Sequence, residues 1–304
     1  MRLINQILSP DNLRAAWEEV AENKGAPGAD RISIARWRRN WEERCADLAA
    51  KVRANTYRPS PLRRFTIPKK DGTPRRMGIL TVDDRVLQRA VLRVVDNEFD
   101  RTFLECSYGY RQGRGVRDAI PAILTLREQD RTWVLDADID ECFPSLDHAL
   151  IVEFFSETVD DPMALHLLRL WLAAWSEPPG RSLGIPLGAV LSPLLCNILL
   201  HRLDTALIRR GRHPVRYADD FCVFCHTERE AQSAGQETAE ILAGLKLRLE
   251  PVKTRIATFE TGFDFLGVHF LRDTYSFICQ EKRIEVAGGF DAELFYDYVP
   301  DGYE

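Results

Sequence analysis

The 304-residue sequence lacks the features that mark membrane and secreted proteins. No apolar run reaches the roughly 18 residues that a membrane-spanning helix needs. Residues 1–6 show neither the apolar core nor the cleavage site of a signal peptide, and the chain has no internal repeat and no low-complexity linker. The sequence therefore predicts a protein with no membrane partner, built as one large domain or as two to three packed subdomains.

The seven cysteines form neither a disulfide framework nor a zinc site. They are scattered and odd in number, which is typical of the reducing cytoplasm and predicts that location. Cys222 and Cys225 form a CxxC pair, but the second pair that would complete a zinc site is missing. Because the pair falls in a predicted strand, we interpret it as packing rather than as redox or metal chemistry.

Acidic residues are scarce in one stretch of the chain, and basic residues are absent from another. The net charge of −5 argues mildly against bulk affinity for nucleic acid. Residues 51–76, however, carry many Lys and Arg and a single acid, Asp71, whereas residues 291–304 carry acids and no base. The basic stretch is interleaved with Tyr57, Phe65 and prolines, so it is either a solvated face or a segment that presents cations to phosphates.

Helices and strands are both predicted, without regular alternation. The pattern predicts an α+β fold with a largely antiparallel sheet rather than a doubly wound fold. The predicted helices begin at Ser9-Pro10, at Asp83, at Ser192-Pro193 and at Thr227, with a further amphipathic stretch over 34–52. The predicted strands cover 64–67, 133–139, 256–259 and 263–270, with a hairpin turn over 70–73.

The most informative motif is Tyr217-Ala218-Asp219-Asp220, which lies between two apolar strand-like runs. Two carboxylates about 4 Å apart repel by roughly 4 kcal/mol at a protein-surface dielectric, so a positive partner is expected. Mg²⁺ is the natural candidate because it prefers oxygen ligands. A solvated turn is the alternative interpretation of an isolated Asp pair.

A third carboxylate strengthens the first interpretation. Asp138 closes the predicted strand over 133–139, on the same face as Asp136. If that strand and the hairpin with Asp219 are neighbours in an antiparallel sheet, their carboxylates meet at one end, as in a two-metal centre for phosphoryl transfer. Cations of the upstream hairpin would then hold a triphosphate: Lys69, Lys70, Arg75 and Arg76.

Several motifs in sequence order resemble the reverse transcriptases of the group II intron-encoded lineage. The upstream motifs are Asn23-Lys24-Gly25-Ala26-Pro27-Gly28-Ala29-Asp30, Ile67-Pro68-Lys69-Lys70-Asp71-Gly72, Arg75-Arg76-Met77-Gly78-Ile79, Asp84-Arg85-Val86-Leu87-Gln88 and Ser107-Tyr108-Gly109-Tyr110-Arg111. Downstream lie Asp138-Ile139 through Phe143, Gly184-Ile185-Pro186-Leu187-Gly188 with Leu191-Ser192-Pro193, the Asp219-Asp220 motif, Lys253-Thr254 and Phe265-Leu266-Gly267. The resemblance covers nearly everything from residue 10 to about 270.

The resemblance implies the fingers and palm of a right-hand polymerase, with an antiparallel palm sheet packed on helices and the thumb absent or vestigial. We expect an N-terminal extension and fingers over 1–125, and a palm over 126–285 from which part of 144–183 returns to the fingers. An acidic tail is expected over 286–304. The stretch after Gly267 is too short for the usual helical thumb, so a protein partner or an oligomer is expected to supply a duplex clamp.

The resemblance also implies roles for single residues in an RNA-directed DNA polymerase that uses two Mg²⁺ ions, with Mn²⁺ as a possible substitute. Asp138 and Asp219 would bind both ions, with the Ile139 carbonyl and Asp220 in support. Lys253 would protonate pyrophosphate. Lys69 and Arg75 would bind the dNTP, and Phe143 would exclude a ribonucleotide 2′-hydroxyl. RNA template and DNA or RNA primer would contact Arg63, Arg64, Leu187, Gly188, Phe265, Leu266 and Gly267.

Alternatives stay open at three of these positions and for the reaction itself. Phe143 is otherwise a core residue, Lys253 a surface lysine, and residues 265–267 simple hairpin packing. Leu187 stands where the family usually has Gln, so untemplated or protein-primed synthesis is an alternative reaction. A non-catalytic nucleic-acid-binding scaffold is a third.

The biological setting and the tail are expectations by analogy. Bacterial relatives of this lineage serve CRISPR spacer acquisition and phage defence, and the resemblance implies such a setting. The acidic tail is either disordered or docks on a partner or on the basic cleft of the chain.

Overall fold

The computed structural model describes residues 2–68, 72, 74–176, 180–279 and 282–291. Contacts within the chain divide it into two units. The first comprises Met1–Thr102 and Phe143–Ile198, and the second comprises Phe103–Cys142 and Leu199–Glu304. The fingers, palm and tail boundaries expected from the sequence remain a prediction.

The described chain mixes helices and strands in an irregular order. The helices are α1 (Leu3–Ile7), α2 (Pro10–Glu22), α3 (Ile34–Trp37), a 3-10 turn (Arg38–Asn40), α4 (Trp41–Arg53), α5 (Val82–Asp100), α6 (Val116–Glu128), α7 (Cys142–Ser145), α8 (His148–Ser156), α9 (Pro162–Trp175), α10 (Ser192–Arg209) and α11 (Glu228–Gly244). The strands are β1 (Arg63–Pro68), β2 (Pro74–Ile79), β3 (Trp133–Asp138), β4 (His213–Tyr217), β5 (Asp220–Cys225), β6 (Arg255–Thr258), β7 (Phe263–Phe265), β8 (Val268–Leu271), β9 (Thr274–Cys279) and β10 (Lys282–Ala287).

Capping residues place the helix starts close to the predicted positions. Ser9 and Thr227 accept hydrogen bonds from backbone N–H groups in the first turns of α2 and α11. The helix predicted to open at Asp83 begins at Val82, because the Thr81 hydroxyl caps it. The single amphipathic stretch predicted over 34–52 was wrong in one respect, since Asn40 leaves the helical conformation and separates α3 from α4.

The first unit carries an exposed two-stranded hairpin. β1 and β2 pair antiparallel from Arg63 opposite Ile79 to Pro68 opposite Pro74, which confirms the predicted strands. The predicted turn over 70–73 lies almost entirely outside the described residues. The hairpin is anchored at its base, where the Gly78 amide donates to the Leu187 carbonyl at 2.9 Å.

A buried carboxylate ties the chain before this hairpin to the helix after it. Asp84 of α5 accepts hydrogen bonds from the Tyr57 hydroxyl (2.5 Å), the Thr81 hydroxyl (2.7 Å) and the Ser60 amide (3.1 Å). Burial raises the pKa of Asp84, and these donors oppose the rise. The network therefore holds both ends of the β1–β2 segment on one helix.

The second unit contains a four-stranded antiparallel sheet in the order β4-β5-β3-β6. β3 and β5 occupy its centre, and β5 is buried along nearly its whole length. β4 lies at an edge of the sheet, where proline is tolerated because its missing N–H need not pair with a neighbouring strand, and Pro214 occupies such a position. The sheet brings together two segments, 133–138 and 213–225, that are far apart in the sequence.

A second antiparallel sheet, in the order β10-β9-β8-β7, shares a core with the first. β7 and β8 are joined by Leu266-Gly267, and both residues have positive φ (54° and 75°), as in a two-residue type I′ turn. The shared core contains side chains from both sheets and from α6, including Val134, Phe224, Phe263 and Phe270. The back of the first sheet is thus firmly supported.

The α+β class with antiparallel sheets is confirmed. The helices α6, α8 and α9 and the β9–β10 hairpin were not predicted from the sequence. β10 continues to Ala287, and most of the predicted tail, 292–304, lies outside the described residues. No helix among the residues the structure describes is both long and apolar enough to cross a lipid bilayer.

Candidate active site

Three carboxylates gather at one end of the β4-β5-β3-β6 sheet. Asp138, the last residue of β3, lies opposite Asp220, the first residue of β5. Tyr217 pairs with Asp220 across β4 and β5, so Ala218 and Asp219 form a two-residue turn between them. The predicted neighbouring strands and the predicted hairpin tip are both confirmed, and the acidic turn faces the end of β3.

Lys253 supplies a positive charge to these carboxylates. Its Nζ donates a hydrogen bond to Asp138 Oδ2. That hydrogen bond is the main reason why the pKa of Lys253 is raised, and the negative charges of Asp138, Asp219 and Asp220 add to it while desolvation opposes it. The lysine side chain is 61% exposed, so Lys253 is a surface residue that is nevertheless paired with the site.

Two further ion pairs flank Asp138 along the same run of chain. Asp136 pairs with Arg255 Nε at 3.0 Å across β3 and β6, and Asp140 pairs with Arg248 Nε at 2.6 Å. Desolvation raises the pKa of Asp136, and Arg255 opposes the rise. The alternation of acids at 136, 138 and 140 was the signal in the sequence, but the cationic partners could not be read from it.

The donor chemistry suits a divalent cation, although the side chains are not gathered around an ion. Carboxylate oxygens and the backbone carbonyl of Ile139 are ligands that Mg²⁺ prefers. Asp138 Oδ1 accepts from the Ile139 amide at 3.0 Å, and Oδ2 faces Lys253. Among the described residues, no three His, Cys, Asp or Glu side chains converge as a metal cage.

The predicted dNTP and template contacts belong to the first unit. Arg75 is exposed on β2 opposite Ile67, and Lys69 lies outside the described residues. Arg63 and Arg64 of β1 are exposed, and each donates to a backbone carbonyl, that of Pro27 at 3.1 Å and that of Trp175 at 3.3 Å. These two guanidinium groups are therefore oriented by the protein itself.

Phe143 and the 184–188 segment are connected by hydrogen bonds within the first unit. Phe143 is buried, and its carbonyl accepts from the Ile185 amide at 2.9 Å. Leu187 is half-buried and bridges to Met77 of β2, and Gly188 follows it at φ +97°. A backbone path thus runs from Phe143 to the base of the β1–β2 hairpin.

The predicted primer contacts lie in the β7–β8 hairpin of the second unit. Phe265 and Leu266 are both buried in the shared core, and Gly267 completes the turn. The side chains of Phe265 and Leu266 therefore pack in the core, in agreement with the alternative of simple hairpin packing. A contact between primer and the backbone of this turn remains a prediction.

One buried ion pair beside the acidic turn was missed from the sequence. Arg216 directly precedes the Tyr217 motif and is fully buried with Asp204 of α10. A charged residue in an otherwise apolar strand was the available signal, because such a group stays buried only with a partner.

Comparisons with known proteins converge on one family. The family model described as reverse transcriptase (RNA-dependent DNA polymerase) matches residues 67–270. YkfC of Escherichia coli strain K12 is 30% identical over 97% of this chain and 91% of its own length. The group II intron-encoded protein LtrA of Lactococcus lactis is 30% identical over 68% of this chain, which spans only 35% of LtrA.

A solved structure adds evidence on the fold. Apo telomerase from Candida tropicalis superposes with a TM-score of 0.56 at 11% identity, covering 75% of this chain and 51% of that one. At this identity the likeness bears on the fold alone, and it confirms the predicted polymerase-type fingers and palm.

Proposed function

Because the chain belongs to the reverse transcriptase (RNA-dependent DNA polymerase) family, we propose that it extends a primer with dNTPs along an RNA template. One observation carries the proposal. Asp138 and Asp220 are paired across β3 and β5, with Asp219 in the adjoining turn. Two segments far apart in the sequence thus present their carboxylates at one end of a sheet, as nucleotidyl transfer requires.

We propose that Asp138 and Asp219 hold two Mg²⁺ ions, with the Ile139 carbonyl and Asp220 in support and with Mn²⁺ as the alternative ion. When bound, such ions activate the attacking primer hydroxyl and stabilise the leaving oxygen. Lys253 lies next to this site, where its ammonium donates a hydrogen bond to Asp138. A protonated lysine in this place suits proton donation to the departing pyrophosphate.

The first unit is proposed to select and hold the incoming nucleotide. Arg75 and Lys69 would bind the triphosphate, for which the planar guanidinium of Arg offers two parallel hydrogen bonds. Phe143 would occupy the space of a 2′-hydroxyl and favour deoxynucleotides. The hydrogen bond from the Ile185 amide to the Phe143 carbonyl supports this role, because it limits the movement of the backbone that carries the aromatic ring.

Template and primer are proposed to contact the same two groups of residues that the resemblance implied. Arg63, Arg64, Leu187 and Gly188 would face the template in the first unit, and residues 265–267 the primer in the second. Leu187 favours a second candidate, untemplated or protein-primed DNA synthesis, because an apolar side chain replaces an amide near the nascent base pair.

A primer-extension assay tests the proposed function directly. Purified protein is incubated with Mg²⁺, dNTPs and an RNA template carrying a DNA or RNA primer, and the products are sequenced. We expect template-complementary DNA from the wild type and from Asp273→Ala, an exposed control, but none from Asp219→Ala. Untemplated product would favour the second candidate. Incorporation by Asp219→Ala would contradict the proposed catalytic role of Asp219. No incorporation by the wild type with either Mg²⁺ or Mn²⁺ would leave only a nucleic-acid-binding scaffold.

We further propose that a protein partner or a second copy supplies a duplex clamp, in a bacterial CRISPR or anti-phage setting. Processivity should then rise when a candidate partner protein is added, and light scattering should show a complex or an oligomer. Unchanged product length together with a monomeric mass would contradict this part of the proposal without touching the polymerase itself.

A further inference from the structure

The turn that carries Asp219 is held from behind by a buried guanidinium. Arg216 of β4 is fully buried. Its Nη1 donates to the carbonyl of Ala218 at 2.8 Å, and Ala218 is the residue that precedes Asp219. The side chain therefore bonds directly to the backbone of the acidic turn.

The guanidinium is itself fixed by two other elements. Nε and Nη2 donate to the two carboxylate oxygens of Asp204, at 2.8 Å and 2.7 Å, in a bidentate pair that is excluded from water. Nη2 also donates to the hydroxyl of Ser107 at 2.8 Å. Because a planar guanidinium bound at three places cannot rotate, the position of the Ala218 carbonyl is defined.

The turn needs such a restraint because its backbone is strained. Ala218 has φ +59°, a conformation that is unfavourable for a residue with a Cβ and that few residues other than glycine adopt. Without a bond to its carbonyl, Ala218 loses one restraint against relaxation toward negative φ. Such a relaxation would reorient the peptides beside Ala218 and change the position of Asp219 relative to Asp138.

The segment 106–109 supports the same turn through its backbone. The Arg216 amide donates to the Cys106 carbonyl at 2.8 Å, and the Tyr108 amide donates to the Arg216 carbonyl at 2.9 Å. Gly109 then passes so close that a Cβ there would lie 2.5 Å from the Ala218 nitrogen. Glycine is required at this position because a Cβ would clash with the turn. The segment 106–109 therefore packs directly against the backbone of the acidic turn.

We propose that Arg216, fixed by Asp204 and Ser107, is the positioning residue that holds Ala218 in its strained conformation and so sets Asp219 against Asp138. The inference rests on the proposed function, because it assigns a role in organising that same site. Arg216 acts through the turn and touches no substrate.

The test compares three proteins with the wild type. Asp204→Leu with Arg216→Met removes both charges, since replacing a buried pair by apolar residues usually preserves the fold whereas removing one partner does not. The same double variant with Ala218→Gly carries a residue that adopts positive φ without strain. Ala218→Gly alone is the matched control.

We expect the double variant to lose about 100-fold in kcat, the effect of a misplacement of about 1 Å, with KM for dNTP and primer-template within about threefold of wild type. Adding Ala218→Gly should restore at least about tenfold of this loss, with Ala218→Gly alone measured as the reference for the effect of the glycine itself. Rescue by the glycine separates positioning from a merely structural role. A folded double variant with wild-type kcat, or no rescue, overturns the inference.

Amide hydrogen exchange over residues 215–222 provides a readout that does not depend on activity. Exchange should rise in the double variant and not in Ala218→Gly. If the wild type incorporates no nucleotide, the proposed function fails, and unchanged exchange in the double variant still overturns the positioning role.

If the double variant does not fold, Ser107→Ala replaces it. This variant should show a smaller rise in exchange with a smaller loss of kcat. Wild-type values for both measurements in Ser107→Ala overturn the inference.

Discussion

The β4-β5-β3-β6 sheet of the second unit and the β1–β2 hairpin of the first carry charge in opposite ways. In the sheet, buried strands end in carboxylates whose positions are set by the β3–β5 register and by ion pairs. In the hairpin, β1 and the first half of β2 are exposed, and Arg75 stands in solvent.

The two regions differ in whether the charged side chains are ordered before a ligand binds or only when it binds. The buried strands fix the backbone positions of the carboxylates before any ligand arrives, so that binding needs little reorganisation of the backbone. An exposed arginine keeps its rotamer freedom and loses it only when a ligand binds. We therefore expect changes in the sheet to act on turnover and on stability, and changes in the hairpin to act mainly on affinity.

The largest expected effect contrasts Asp138→Asn with Arg75→Gln. Asp138→Asn should lower kcat by about 1,000-fold or more, because it removes a charged ligand worth several kcal/mol in the transition state. Arg75→Gln should instead raise KM for dNTP by about tenfold, with kcat changed less. Steady-state kinetics on one primer-template measures both. A dominant kcat effect from Arg75→Gln would erase the distinction between the two regions.

The same contrast applies to stability. Phe221 of β5 is fully buried and Phe65 of β1 is 40% exposed. Phe221→Ala should lower the free energy of unfolding by about 3–5 kcal/mol through lost burial and cavity formation. Phe65→Ala should cost less than about 1 kcal/mol. Urea denaturation followed by circular dichroism gives both values, and equal losses would show that the hairpin is packed as tightly as the sheet.

Sugar selection sharpens the comparison within the first unit. Phe143→Leu should lower the preference for dNTP over rNTP by about tenfold or more, equivalent to about 1.4 kcal/mol, because a smaller side chain leaves room for a 2′-hydroxyl. Phe155→Leu is the matched control, since Phe155 is also buried in this unit and has no proposed role. Equal preference for dNTP over rNTP in both variants would show that Phe143 is an ordinary core residue with no role in sugar selection.

The smallest expected effect is on pH dependence. His148 Nε2 bonds to the Gly184 carbonyl at 2.7 Å, and burial lowers the pKa of His148. The folded state therefore binds fewer protons than the unfolded state below pH about 6.5, and stability falls as the pH drops through that range.

His148→Gln removes this proton linkage. The variant should show a shallower loss of stability between pH 6.5 and 5 than the wild type, by at most about 1.4 kcal/mol per pH unit. Denaturation midpoints measured across this range test the difference. Parallel pH profiles would mean that His148 titrates alike in the folded and unfolded states, and the remaining slope would then come from His201 and His213, whose pKa values burial also lowers.

Local patterns in the sequence were sufficient for much of the site. Asp138 and Asp219 each follow a short apolar run, and the cap at Thr227 follows from its own tetrapeptide. Such signals are carried by neighbouring residues, so they survive without knowledge of the fold. The helices α6, α8 and α9 were not predicted, although Asp147 and Asp161-Pro162 are start signals of the same kind as Ser9-Pro10.

The partners of the carboxylates could not be predicted, because they depend on contacts between distant segments. Arg255 meets Asp136 only through the β3–β6 register, and Arg248 meets Asp140 beside it. Arg216 in an apolar strand indicated that a buried partner exists, but not that Asp204 of α10 would be that partner.

By itself, the sequence determined which residues are candidates for the chemistry, because carboxylates, cations and turn residues are recognisable from local composition and spacing. The tertiary structure alone decided that Asp138 lies opposite Asp220, and that Ala218 is held at positive φ by Arg216. The physical reason is that the register between β3 and β5, and the buried ion pair between β4 and α10, are set by the packing of separate elements, about which local sequence carries no information.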